Sequence, residues 1–154
     1  MRVVIAAVGR ARAGPARDLF DHSVGRITWP ITLREVEERR PLPPDRLRAR
    51  EAELLLAALP DGARIVALDE RGKALSSAEF AERVRRWRDD GVSDLAFVIG
   101  GAEGLDEGLR RRADLVLGLG RMTWPHLLVR ALLAEQLYRA QQILAGHPYH
   151  RSQK

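Results

Sequence analysis

The sequence predicts an α/β fold: a mostly parallel sheet covered by helices on both faces. Three observations carry this expectation. Short, near-continuous apolar runs recur along the chain (RVVIAAV, RIVAL, LAFVI, LVLGL). Such runs suit strands buried on both faces. Helical patterns separate them, which is the alternation of βαβ units. Finally, 154 residues, 45% of them hydrophobic, are enough for one domain with a sizeable core. One domain over 1–154 is expected, with no internal repeat.

Composition narrows the chemistry. The chain has no cysteine, which removes a disulfide framework, a thiol nucleophile and every thiolate metal site. That fits a reducing, cytoplasmic setting. No apolar run approaches the ~20 residues that span a bilayer, so no membrane partner is expected. The opening MRVVIAAVGRARAG places Arg10 and Arg12 where a signal peptide would need small residues, so it reads as a first strand. Basic residues outnumber acidic ones by 26 to 21, for a net charge of +5, which is compatible with a polyanionic partner.

In chain order, Arg2 to Val8 is a buried strand ended by Gly9. A basic loop with Arg10, Arg12 and Arg17 follows, and Pro15 opens a helix running to about Val24. Ile31 to Val36 alternates apolar and polar residues, as an edge strand does. After the break Pro41 to Pro44, a helix is expected from Asp45 to Leu59, stopped by Pro60-Asp61-Gly62. Arg64 to Leu68 is the next strand, closed by a turn at Asp69-Glu70-Arg71-Gly72. Ser76-Ser77-Ala78-Glu79 has the form of a capping box and opens a helix that points Phe80, Val84 and Trp87 inward and ends at Gly91. Leu95 to Ile99 is a third buried strand, leading into Gly100-Gly101-Ala102-Glu103-Gly104. A short helix follows, with Asp106 and Glu107 at its start and Arg110 to Arg112 at its end, matching the helix dipole. Leu115 to Leu119 is the last strand and His126 to Leu144 the last helix. The polar residues of that helix, Arg130, Glu135, Gln136, Arg139, Gln141 and Gln142, form no single stripe. Apolar side chains therefore face several directions, and a partner subunit is the simple way to cover them. Glu135 and Arg139 are spaced for an ordinary i,i+4 pair.

In an open parallel sheet, ligands gather at the carboxyl ends of the strands. Three such ends stand out: Leu68-Asp69, Ile99-Gly100-Gly101, and the loop from Leu119 to Pro125. The glycine pair either lets a ligand approach bare backbone or serves a tight turn of its own. It is neither a Walker loop nor a dinucleotide fingerprint. His126, His147 and His150 show no ligand spacing of a known metal site, so no metal is expected. The ending Pro148-Tyr149-His150-Arg151 is rich in groups that stack on bases or hold phosphate.

Four motifs in order carry a resemblance: Phe97-Val98-Ile99-Gly100-Gly101-Ala102-Glu103-Gly104; Met122-Thr123-Trp124-Pro125-His126 with Leu128-Val129-Arg130; Leu133-Ala134-Glu135-Gln136-Leu137-Tyr138-Arg139-Ala140; and His147-Pro148-Tyr149-His150-Arg151. Together they resemble the RlmH family, the pseudouridine N3-methyltransferases of large-subunit (23S) ribosomal RNA in the SPOUT class. The resemblance implies a homodimer with a C-terminal trefoil knot that binds S-adenosylmethionine. Chains do not ordinarily thread loops, so pattern reading alone predicts an unknotted sheet. Carried over by position, the cofactor would lie against Leu68, Gly100, Gly101 and the loop Leu119, Gly120, Arg121, Met122, Thr123 and Trp124. Arg121 departs from the family pattern, and its side chain is expected to point away from the adenine. His126, Tyr149, His150 and Arg151 would position the substrate base in the decoding-centre stem-loop of the assembled ribosome. Two other readings fit the composition: a non-catalytic dimeric RNA- or ribosome-binding module of the same fold, and an α/β enzyme acting on a small phosphorylated substrate.

Overall fold

The first apolar run forms β1 (Arg2–Val8), and the two-residue period of a strand divides its side chains between opposite faces. Val3, Ile5 and Ala7 join one buried cluster, and Ala6 and Val8 join another. That division repeats along the chain in this computed structural model, which describes residues 1–146. After β1 come α1 (Pro15–Gly25), β2 (Ile31–Val36), α2 (Pro44–Ala57), β3 (Arg64–Ala74), α3 (Ser77–Asp89), β4 (Asp94–Ile99), α4 (Glu107–Arg112), β5 (Leu115–Gly118) and α5 (His126–Leu144). The strands form one sheet in the order β2-β1-β4-β3-β5, and every pairing is parallel. The alternating strand Ile31–Val36 lies at one edge, as its pattern predicts.

The two clusters fix which helices cover which face. Phe20 of α1, Phe80, Val84 and Trp87 of α3, and Ala131, Leu133, Ala134 and Leu137 of α5 pack on one side. Ala52 and Leu55 of α2 and Leu109 of α4 pack on the other. The Ser76 box is present in full: its hydroxyl accepts the Glu79 amide, and the Glu79 carboxylate accepts the Ser76 amide.

β3 corrects the sequence reading. It does not end in a turn at Asp69 but runs on to Ala74, because Lys73 and Ala74 pair with Leu117 and Gly118 of β5 after a shift in register. The intervening segment crosses hard against β5. A Cβ on Gly72 would stand 2.6 Å from the backbone carbon of Leu117, and one on Gly118 would stand 3.0 Å from the Gly72 carbonyl oxygen. Two strands of backbone meet there with a glycine on each.

The polar residues of α5 form no stripe because each serves a different neighbour. Glu135 accepts from Arg26 at 2.8 Å and from Arg139 at 3.0 Å. Gln141 accepts from the Thr28 amide and hydroxyl, and Gln136 from the Ser77 hydroxyl. Arg26 also stacks 4.0 Å over the Tyr138 ring. Arg130, which the sequence offers as one more polar position, is 2% exposed.

Candidate active site

The carboxyl ends of β4 and β5, with the Leu68 to Arg71 stretch of β3, open into a cleft of about 700 Å³, within the range of small-ligand sites. Its apolar lining comes from Leu68, Ile99, Leu117 and Val129. Two loops border it. The first, after β4, closes on itself when the Gly104 amide donates to the Gly101 carbonyl, with Gly104 at φ 81°. In the second, after β5, Gly120 sits at φ 98° and the Trp124 indole N–H donates to the Leu119 carbonyl at 3.2 Å. The Thr123 hydroxyl ties that loop to the crossing segment by donating to Glu70 at 2.6 Å.

The positions singled out in the sequence converge here. Leu68, Gly100, Gly101, Leu119, Gly120, Met122, Thr123 and Trp124 all line the cleft, and so does His126 at the first turn of α5. Arg121 is exposed and is not part of the lining. Tyr149, His150 and Arg151 lie outside the described residues, as does His147.

Internal packing accounts for the glycine pair. A Cβ at Gly100 would stand 2.9 Å from the Gly104 carbonyl oxygen, and one at Gly101 would stand 2.9 Å from the Val8 side chain. Both are tighter than a real side chain tolerates, so the loop requires these glycines whether or not a ligand lies beside them.

The electrostatics of the cleft are acidic inside a basic chain. Asp69, Glu70 and Glu103 line it. Burial pushes the Asp69 carboxyl up, but hydrogen bonds from the Arg71 side chain and amide, with the charges of Arg110 and Arg71, outweigh it and hold it below the usual carboxylate range. Behind the first loop, Glu51 of α2 is 8% exposed and one of its oxygens has no hydrogen-bond partner. Burial, with a contribution from Glu103, raises its pKa. Sequence patterns marked Leu68-Asp69 as a strand end where a ligand could gather but did not single out Glu51, since a carboxylate inside a helix is ordinary. Among the described residues, no group of three His, Asp or Glu side chains is placed to hold a metal ion.

The family model described as "Predicted SPOUT methyltransferase" matches residues 1–150. The curated Ribosomal RNA large subunit methyltransferase H of Rhodospirillum centenum is 64% identical over 152 residues, covering 99% of this chain and all of the relative. The chain belongs to this methyltransferase family. The relative of the same name from Paramagnetospirillum magneticum is 62% identical, covering 98% of this chain and 99% of its own. That of Rhodospirillum rubrum is 58% identical over 99% of this chain and 100% of its own. A Legionella pneumophila chain solved with bound SAM aligns at a TM-score of 0.48 and 12% identity, over 94% of this chain and 66% of that one; so distant a likeness carries no weight here. Within the SPOUT methyltransferase, the two loops that meet at the cleft are those whose sequences carried the resemblance, and the crossing at Gly72 and Gly118 lies beside them.

Proposed function

We propose that this chain uses S-adenosylmethionine to methylate N3 of a pseudouridine in 23S ribosomal RNA, acting as a cytoplasmic homodimer on the assembled ribosome. The observation that carries the reading is the convergence of the two resemblance-bearing loops on one cleft, in a chain 64% identical end to end to a relative named for ribosomal RNA methylation.

The residues present fit the cofactor. Backbone carbonyls and amides of the 119–124 loop suit an adenine, and the apolar lining of Leu68, Ile99 and Leu117 suits its faces. The carboxylates of Glu70 and Glu103 offer negative charge to a cationic ligand. S-adenosylmethionine, when bound, supplies an electrophilic methyl group on a sulfonium. The protein orients the base and gives its N3 proton somewhere to go. His126 stands at the cleft to position the base, and Tyr149, His150 and Arg151 are assigned to the same role by the resemblance alone.

The close crossing of the 69–74 segment and β5 supports a threaded, knotted C-terminal region. A dimer is supported by apolar surface left over: Met122 is 74% and Trp124 41% exposed, and the half-buried Leu127 and Leu132 of α5 join neither core cluster. Calorimetric titration with S-adenosylmethionine tests the site. Trp124→Ala, which removes both the ring and the Leu119 hydrogen bond, is expected to weaken binding roughly tenfold. Unchanged binding contradicts the assignment, and cofactor binding without methyl transfer favours the non-catalytic module.

A further inference from the structure

α5 buries a cation that the cleft does not use. The Arg130 Nη1 donates to Glu35 Oε2 at 2.5 Å, and its Nη2 donates to the carbonyls of Gly9 at 3.0 Å and Val8 at 3.3 Å. The same Glu35 oxygen accepts the amide of Ala11 at 2.7 Å. Four pieces of chain are fastened at one point: the end of β1, the loop after it, β2 and α5. The Arg130 side chain is 2% exposed and that of Glu35 30%, so the pair joins the interior to the surface at this loop. It fixes geometry, and what it fixes is the loop between Gly9, at φ 93°, and Ala11.

That loop presents Arg10 and Arg12, the neighbours of the pinned Ala11. Both are exposed, and among the described residues neither makes an ion pair or a side-chain hydrogen bond. Among the described residues Arg46, Arg112 and Arg121 also lack an ion pair, so what sets Arg10 and Arg12 apart is their place on the pinned loop. The start of their loop stands beside the cleft. A Cβ on Gly9 would lie 3.8 Å from the His126 Nε2, and His126 lines the cleft. A guanidinium fork matches a phosphate in two parallel hydrogen bonds, and backbone phosphate contacts set register on a nucleic acid without reading its sequence.

We propose that Arg130 and Glu35 are positioning residues that hold the 9–12 loop so that Arg10 and Arg12 grip backbone phosphates of the RNA strand carrying the target base. The inference rests on the ribosomal RNA reading above. Arg130 and Glu35 act through the loop and touch neither cofactor nor base. The Gln side chain of Glu35→Gln can still accept the Ala11 amide but no longer offers Arg130 a charge, so it loosens the clamp with the least disturbance of the core.

The test is binding and methylation of large ribosomal subunits that lack the modification, across a salt series. Arg10→Ala with Arg12→Ala is expected to weaken subunit binding roughly tenfold or more and to lower the slope of log affinity on log salt by about 1.4 to 1.8, two phosphates' worth. Glu35→Gln should shift both quantities the same way by a smaller amount. It should raise KM for the subunit while leaving kcat and the affinity for S-adenosylmethionine within about twofold. Added to the double arginine variant, it should cost nothing further. Glu35→Gln with wild-type salt slope and subunit KM, or a loss fully additive with that of the arginines, overturns the clamp. Wild-type protein that neither binds nor methylates the subunit would instead overturn the ribosomal RNA reading, and the phosphate role with it.

Discussion

Gly72 shows how much one missing side chain can carry. Its neighbours in sequence are charged and exposed, the usual surroundings of a surface turn, yet a Cβ there would meet the backbone of β5 at 2.6 Å. Backbone cannot swing aside as a side chain can. Gly72→Ala is therefore expected to destabilise the protein by about 1–3 kcal/mol, measured by urea unfolding. Gly25→Ala, where a Cβ meets nothing within 4 Å, should change stability by less than about 1 kcal/mol. Equal effects would contradict the crossing. Glu51 gives a second prediction with a definite sign. Its folded pKa is raised, so its contribution to stability is present below the unfolded value and lost as pH rises through the folded one. At pH 7, well above the unfolded value, the raised pKa is a cost that Glu51→Gln removes. The variant should melt higher than wild type at pH 7 and show no gain at pH 4. A variant less stable at pH 7 would mean that the carboxylate has a partner role in the loop.

Glu35 and Glu38, at the end of β2 and in the chain leading from it, have the opposite sign. Burial raises the Glu35 carboxyl, but Arg130, the Ala11 amide and the charge of Arg10 outweigh it and leave it lowered. Hydrogen bonds from the Arg40 side chain and amide and from Arg50 hold Glu38 down to about 2. Lowered carboxylates contribute stability above their unfolded pKa, near 4.5, and lose it as pH falls through the folded value. Thermal stability is expected to decline between about pH 4.5 and 2, and Glu38→Gln should shallow that decline; an identical acid limb would refute the assignment. The elements themselves were largely legible. Continuous apolar runs gave β1, β4 and β5, alternation gave the edge strand β2, and a capping box gave the start of α3. The extension of β3 was not, because Asp69 to Lys73 carry turn chemistry and their pairing with β5 is a long-range contact. Nor was the burial of Arg130, since one arginine in an apolar helix looks like its exposed face. Only the partners, Glu35 and two carbonyls more than ninety residues away in sequence, make it an interior residue.

For the whole molecule, the strand order β2-β1-β4-β3-β5 places the two family-bearing loops at the ends of β4 and β5, on either side of β3, and the cleft follows from that order. The cleft positions named from the resemblance could be found because their motifs are local. Of the two readings of Gly100 and Gly101, the sequence could not choose the tight turn, because what requires it is packing in the folded chain, against Gly104 and the distant Val8. The surplus apolar surface of α5 leads to a prediction about assembly. Sedimentation should find a dimer at micromolar concentration, and Leu132→Glu should shift it to monomer while the monomer stays folded. A wild-type monomer would contradict the dimer. The measurement that bears most directly on the central claim is methyl transfer from labelled S-adenosylmethionine to ribosomes from a strain without the endogenous activity, with the labelled nucleoside identified by mass spectrometry. The account predicts label on the N3 of a pseudouridine in 23S ribosomal RNA; tight cofactor binding with no label in that RNA would contradict it.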